Sequence, residues 1–280
     1  MLFGAHVSIA GGHANAPKNA QKIGCEVFQF FTRSPQGGKV AEITSETVLS
    51  FQKSMKENNQ KECYVHAPYF INFASTNPRV YHGSTSVIRQ ELERASLLGA
   101  RFLMTHLGSY KDSGEKEGFT MVVDGLNKTL EGYKGETEFL IEIAAGAGEV
   151  IGATFEEIGK IIHHPKLKKY KIGVCFDTEH AFASGYDLRT EKAVENTLTE
   201  FDNSIGLDRL KMFHCNDSKV EFGAHKDRHE HIGEGFIGTG GFTALLSHKH
   251  LQDKSFILET EHDKVEEDLK ILKKIHQNIS

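Results

Sequence analysis

A chain of 280 residues, 39% hydrophobic and 25% charged, has the composition of an ordinary soluble globular protein able to bury a sizeable core. Its formal net charge of −5 gives no general pull on a polyanion, although bound cations can reverse the sign locally. No apolar run approaches the ~20 residues of a membrane helix. The N-terminus, MLFGAHVSIAGG, also lacks the basic start and long apolar stretch of a signal peptide. These features predict a cytoplasmic protein without a membrane partner. Cys25, Cys63, Cys175 and Cys215 lie far apart with no C-x-x-C pair, which predicts buried free thiols and no disulfide framework.

In chain order, short β-type runs recur at Leu2–Val7, Glu26–Phe31, Glu62–Ala67, Arg101–His106, Phe139–Ile143, Ile172–Asp177, Leu210–His214 and Phe256–Glu259. Helical spacing lies between them. Val87, Ile88, Leu92, Ala95 and Leu98 keep it until Gly99, and Phe155, Ile158, Ile161 and Ile162 keep it behind a capping box at Thr154 and Glu157. A last helix spans about Val265 to His276, with Asp263 as its N-cap. Eight strands alternating with helices predict a (β/α)₈ barrel, an α/β fold that takes residues 1–280 as one domain. The near-continuous apolar character of the runs suits parallel strands covered on both faces. Two long connections, Thr32–Thr44 and His214–Gly241, stand out, because long loops in compact domains are more often functional than idle.

In such a barrel the site lies at the C-terminal ends of the strands. The third to eighth runs finish on His66, His106, Glu142, Asp177, His214 and Glu259. His180 follows Asp177 by three residues, one helical turn if the chain coils there. In the extended segment Asp227-Arg228-His229, the outer two residues point the same way. A lone Asp-x-His is more often a solvated polar loop, and single His or carboxylate strand ends are common. Six successive strand ends of one chemical kind outweigh that reading. Imidazole and carboxylate together suit Zn²⁺, Mn²⁺ or Fe²⁺. Nine ligands are too many for one tetrahedral ion but suit three ions with one bridging carboxylate. Three divalent ions against four carboxylates leave a positive well of about +2, which suits a phosphate. The residues therefore point to metal-assisted phosphoester hydrolysis.

Four segments resemble signatures of the endonuclease IV family: GAHVSIAGG at 4–12, HAPYFINFAS at 66–75, VCFDTEHAFASGYDLRT at 174–190 and HCNDSKVEFGAHKDRHEHIGEGFIG at 214–238. The resemblance implies a zinc-dependent (β/α)₈ enzyme with three Zn²⁺ that cuts duplex DNA on the 5′ side of abasic sites, leaves a 3′-hydroxyl and cleans damaged 3′ ends. It implies one ion on His66, His106 and Glu142, and a second on Glu142, Asp177, His214 and Glu259. A third would lie on His180, Asp227 and His229. It gives Glu142 the bridging role and Glu259 that of proton acceptor, and it makes Tyr69 and Phe70 an aromatic wedge beside the damaged nucleotide. An unpaired abasic site is the cheapest to extrude, and a wedge replaces the lost stacking.

The sequence departs from the family pattern at Gln36, Gly37 and Gly38, at Leu107, at Ile143-Ala144 and at Glu179, where an Arg and an aromatic, a Pro, an Asn-Thr pair and a Cys are usual. Arg33 and Gln36 are the DNA-contact candidates on that loop, with His231 as a phosphate contact or ligand-orienting group. His6 divides evenly between a role behind the ligands and a structural hydrogen bond. The run Lys166–Lys171 precedes a strand, so it belongs on the opposite barrel face as a solvated patch. The chain is expected to act as a monomer. Two other functions compete: a sugar isomerase or epimerase of related barrel type, which has no obvious use for the Asp227–His229 loop, and a non-catalytic metal-stabilised DNA-damage binder.

Overall fold

All eight apolar runs form strands. In the computed structural model, which describes residues 1–38 and 40–279, they are β1 (Leu2–His6), β2 (Val27–Phe30), β3 (Glu62–His66), β4 (Phe102–Thr105), β5 (Glu138–Glu142), β6 (Ile172–Asp177) and β7 (Leu210–His214). A two-residue ribbon intervenes, β8 (Asp217–Ser218) with β9 (His229–Glu230), before β10 (Ser255–Leu258). The eight barrel strands pair in parallel in the order β1-β10-β7-β6-β5-β4-β3-β2, and β1 also pairs with β2, so the sheet closes.

The outer ring consists of α1 (Asn15–Lys22), α2 (Ser45–Glu57), α3 (Pro78–Leu98), α4 (Glu115–Leu130), α5 (Phe155–Ile162), α7 (Glu191–Ser204), α8 (Gly238–Ser247) and α9 (Val265–Ile279), while the short α6 (Thr178–Ser184) follows β6 directly at the barrel mouth. Two local expectations change. The Thr154 side chain accepts the Glu157 N–H at 3.2 Å, but the Glu157 carboxylate turns to the Gly152 N–H at 2.6 Å, so only half of the capping box forms. Asp263 does not cap α9. The Lys264 carbonyl takes the Glu267 and Asp268 N–H groups, and Asp263 lies one residue further out, 3.3 Å from His231 Nε2. The third helix also starts well before Val87, because Asn77 caps it through the Arg79 N–H and Pro78 occupies its first turn.

The main core fills the space between strands and helices, and a second core lies inside the barrel. Val27, Tyr64, Phe102, Met104, Leu140, Cys175, Met212 and Ile257 form this inner floor. Tyr64 stacks on Phe102 with ring centroids 5.5 Å apart. Gly4 lets β1 and β2 approach, since a Cβ there would lie 1.8 Å from the Val27 carbonyl oxygen. All four cysteines are buried and free. Among the described residues no helix is long and apolar enough to cross a membrane.

Candidate metal centre

Side chains on one face of a strand recur every second residue. One step beyond the apolar floor, each inward column reaches a polar group: Tyr64 leads to His66, Met104 to His106, Leu140 to Glu142, Cys175 to Asp177, Met212 to His214 and Ile257 to Glu259. Glu142 sits at the centre. Its Oε2 is 2.8 Å from His66 Nε2 and 3.5 Å from His106 Nε2, and its Oε1 is 2.7 Å from His214 Nδ1. His214 Nδ1 also faces Glu259 Oε2 at 3.2 Å and Asp177 Oδ2 at 3.8 Å.

Elements beyond the barrel strands complete the mouth. Asp177 caps α6 through the His180 N–H at 2.9 Å, which sets His180 one turn on, beside the cluster. The ribbon pairs Ser218 with His229 and so folds the long loop back over the mouth. Asp227 then lies 3.4 Å from His180 Nε2 and 3.6 Å from His229 Nε2, while the exposed Arg228 guanidinium turns back to donate to the Asp227 carbonyl at 2.6 Å. A collar of backbone N–H groups from Gly233, Gly235, Ile237 and Gly238 closes on the buried Asp217 carboxylate. Gly235 is required there, since a Cβ would lie 2.5 Å from Asp217 Oδ1.

Three groups of ligand atoms result, each within 4.8 Å of one another: His66, His106 and Glu142; Glu142, Asp177, His214 and Glu259; and Asp177, Glu179, His180 and His229. Glu142 joins the first two groups, and Asp177 joins the last two. Asp227 lies outside that tight grouping but approaches His180 and His229 from the solvent side.

The donors suit divalent ions by a further test. A ligating imidazole needs its other nitrogen held by an acceptor. His66 Nδ1 meets the Ala67 carbonyl at 2.6 Å, His180 Nδ1 the Ile143 carbonyl at 2.9 Å and His229 Nδ1 the Glu259 carbonyl at 3.4 Å. His214 Nε2 meets Gln29 Oε1 at 2.7 Å. An oxygen of this kind can only accept, so the proton is fixed there and the cluster-facing nitrogen is left with its lone pair. His106 departs from this pattern, since its buried Nδ1 has no partner among the described residues.

The cluster's electrostatics favour positive charge. Burial alone would raise the Glu142 carboxyl, but His106, His214 and His66 outweigh it and hold that group well below the usual range. Burial likewise works against Glu259, and His214 and His6 hold it low. Burial pulls down the imidazoles, yet the surrounding acidic groups raise His66, His180 and His214 above an ordinary histidine. His106 is shifted down because burial prevails. The His180 contact lowers Asp227.

Several neighbours were not among the sequence candidates. Gln29, fully buried on β2, donates to Glu259 Oε1 at 2.6 Å and accepts from His214. Asn216 donates to Asp177 Oδ2 at 2.7 Å and accepts the Glu259 N–H at 2.8 Å. A Gln inside the apolar run VFQFF was a readable signal, because a polar group in a doubly covered strand must face a polar partner. Asn216 carried no comparable signal.

The remaining candidates divide. Tyr69 and Phe70 stand exposed at the mouth, 69% and 43%. The Phe70 ring lies over Gly37, and Phe31 meets Tyr69 edge-on at 5.3 Å. A hollow of about 390 Å³ lies between these aromatics and His106, His180 and Asp227. Gln36 is exposed on the neighbouring loop. Arg33 does not face the mouth: its guanidinium turns in to the buried Glu91, beside Arg94 and Thr32, and holds the loop from within. His231 likewise makes a structural bond, to Asp268 at 2.8 Å. His6 lies behind the ligands, 3.0 Å from the Gln29 amide and 3.8 Å from Glu259. Lys166 pairs with Asp124 on the far side of the barrel, before β6.

A family model described as a xylose isomerase-like TIM barrel matches residues 17–275. A protein named probable endonuclease 4 from Halothermothrix orenii is 41% identical over 261 residues, covering 93% of each chain. One of the same name from Aquifex aeolicus is 38% identical over 280 residues, covering 99% of this chain and 98% of its own. The solved structure of endonuclease IV from Thermus thermophilus matches with a TM-score of 0.87 at 30% identity, over 99% of this chain and 100% of that one. A D-tagatose 3-epimerase-like protein matches with a TM-score of 0.77 at 20% identity, over 100% of this chain and 98% of that one, a likeness of fold alone.

Proposed function

The chain is a member of the endonuclease IV family of DNA-repair nucleases, and from that premise we propose that it hydrolyses the phosphodiester 5′ to abasic sites in duplex DNA. The products would carry a 3′-hydroxyl, and the same centre would clear blocked 3′ ends. We assign three divalent ions, mainly zinc, to the mouth: one to His66, His106 and Glu142, one to Glu142, Asp177, His214 and Glu259, and one to His180, Asp227 and His229. Bound there, the ions would polarise a phosphoryl oxygen, lower the pKa of water and neutralise the leaving oxygen.

The chain's own residues supply the rest. Glu142 keeps its carboxylate charged in full burial and offers one oxygen to each side of the cluster. Gln29 and Asn216 fix His214, Glu259 and Asp177, so the donors are preorganised. To Glu259, at the cluster's edge, we assign the acceptance of a proton from the attacking water. Tyr69 and Phe70, exposed beside a hollow of about 390 Å³, would enter the duplex beside the lesion and leave that hollow to an extruded sugar.

The observation that carries this reading is the convergence of three ligand groups, joined through Glu142 and Asp177, at the barrel end that also bears the exposed aromatic pair. A labelled duplex with one synthetic abasic site tests it. Incision 5′ of the lesion, abolished by prolonged chelation, is the expected result. Intact DNA with normal metal content would leave only a damage binder, and sugar turnover without incision would favour an epimerase.

A further inference from the structure

Glu179 stands at the mouth without a role in the nine-residue ligand set. It lies in α6 between Thr178 and His180 and is fully buried. Its Oε1 accepts from Ser218 Oγ and from the Arg228 N–H, each at 3.2 Å. Its Oε2 is buried and has no hydrogen-bond partner among the described residues. An ionised carboxylate can only accept, so a buried oxygen without a donor calls for a cation or a proton. A carboxylate oxygen of Glu179 also lies within 4.8 Å of ligand atoms of Asp177, His180 and His229. Asp227, the carboxylate otherwise assigned to that corner, is on the solvent side, with its side chain 57% exposed.

We propose that Glu179 is a protein ligand of the ion held by His180 and His229, supplying negative charge from the buried side where Asp227 supplies it from the open side. This rests on the three-ion reading above. The same carboxylate serves twice. Through Oε1 it holds the backbone between Asp227 and His229, and through its other oxygen it joins the ion that those residues share. With two carboxylates for two imidazoles this corner is harder in character than the His66–His106 position, which has one carboxylate for two imidazoles, so it should tolerate Mn²⁺ better.

Glu179→Gln separates the two uses. The amide oxygen keeps the bonds to Ser218 and Arg228, while an NH₂ replaces the unpartnered oxygen. Ser218→Ala does the reverse, weakening the Oε1 side and leaving Oε2 intact. Zinc-loaded proteins are dialysed against graded EDTA and their metal content is measured by elemental analysis. Glu179→Gln should release one of three ions at chelator concentrations roughly ten- to a hundredfold below those the parent withstands, and its cobalt-substituted form should show altered d–d absorption. Ser218→Ala should stay close to the parent.

Three ions held as tightly in Glu179→Gln as in the parent, with an unchanged cobalt spectrum, would overturn the assignment. So would equal losses in both variants, which would reduce Glu179 to a loop anchor. A parent that never takes a third ion would overturn the three-ion reading and this assignment together. Should Glu179→Gln not fold, a crystal structure of the zinc-loaded parent decides: a Glu179 oxygen at about 2.0–2.2 Å from an ion supports ligation, and one clearly beyond that distance excludes it.

Discussion

The floor and the mouth of this barrel are built by the same strands, one pleat apart, yet they obey different rules. Met212 and His214 share a strand and a face, as do Ile257 and Glu259. The floor is apolar, and its contribution is packing. The mouth gathers five imidazoles and four carboxylates, most of them buried, an arrangement that packing alone would not favour. The difference teaches that stability and chemistry are separated here by roughly 7 Å along each strand. Single substitutions should therefore strike one and spare the other.

The largest separation is expected at Glu142. Glu142→Gln keeps the side-chain volume but removes the charge that joins two ligand groups. Abasic-site cleavage should fall at least a hundredfold, with the melting temperature of the fully folded protein little changed. Undiminished cutting would mean that the bridge has been wrongly assigned.

Next comes Met212→Ala, two residues from His214 and on the floor. A cavity in a closed barrel interior should cost about 2–5 kcal/mol in denaturant unfolding, with metal content per folded chain unchanged. Loss of metal without loss of stability would blur the division between the two regions.

The pH response should differ in sign with and without metal. His66, His180 and His214 hold protons to higher pH than an ordinary histidine, and an ion must displace those protons. Metal affinity should therefore rise with pH and begin to fall above ~6.5 as acid is added. In metal-free protein, the same raised groups stabilise the fold fully below ~6.5 and lose that contribution as pH rises through their shifted values. Melting temperatures from mild acid to alkaline pH should thus fall without metal and rise with it. Parallel curves would show that the imidazoles are not the groups that the ions replace.

The smallest effect is expected at Tyr69, which stands exposed at the rim with its ring 6.3 Å from that of His66. Tyr69→Ala should weaken binding to abasic duplex by about 1–3 kcal/mol, the scale of one lost stacking contact. Metal content and stability should be untouched, as titration with an uncleavable abasic analogue would reveal.

Much of this was readable beforehand, for a physical reason. A barrel strand imposes a period of two, so an inward apolar column announces where its last member will point. His66, His106, Glu142, Asp177, His214 and Glu259 could be named from that alone. Loop-borne partners carry no such period. By sequence Glu179 is a substitution within a motif, and its contacts with Ser218 and the Arg228 N–H come from the ribbon that folds back over α6. By sequence Arg33 is a DNA-contact candidate, because Glu91, the partner that claims it, is remote in the chain. Where contacts are long-range and aperiodic, composition and spacing are silent.

Asp268 ties the end of the chain to this chemistry. From α9 its carboxylate takes His231 and the Ile232 N–H, and it accepts from Thr260 as well. The final helix is thus a peg driven through the foot of the segment that presents Asp227 and His229. Asp268 makes the last helix answer to two masters, for Leu269 and Leu272 on the same helix sit in the main core while its carboxylate holds the segment that follows His229.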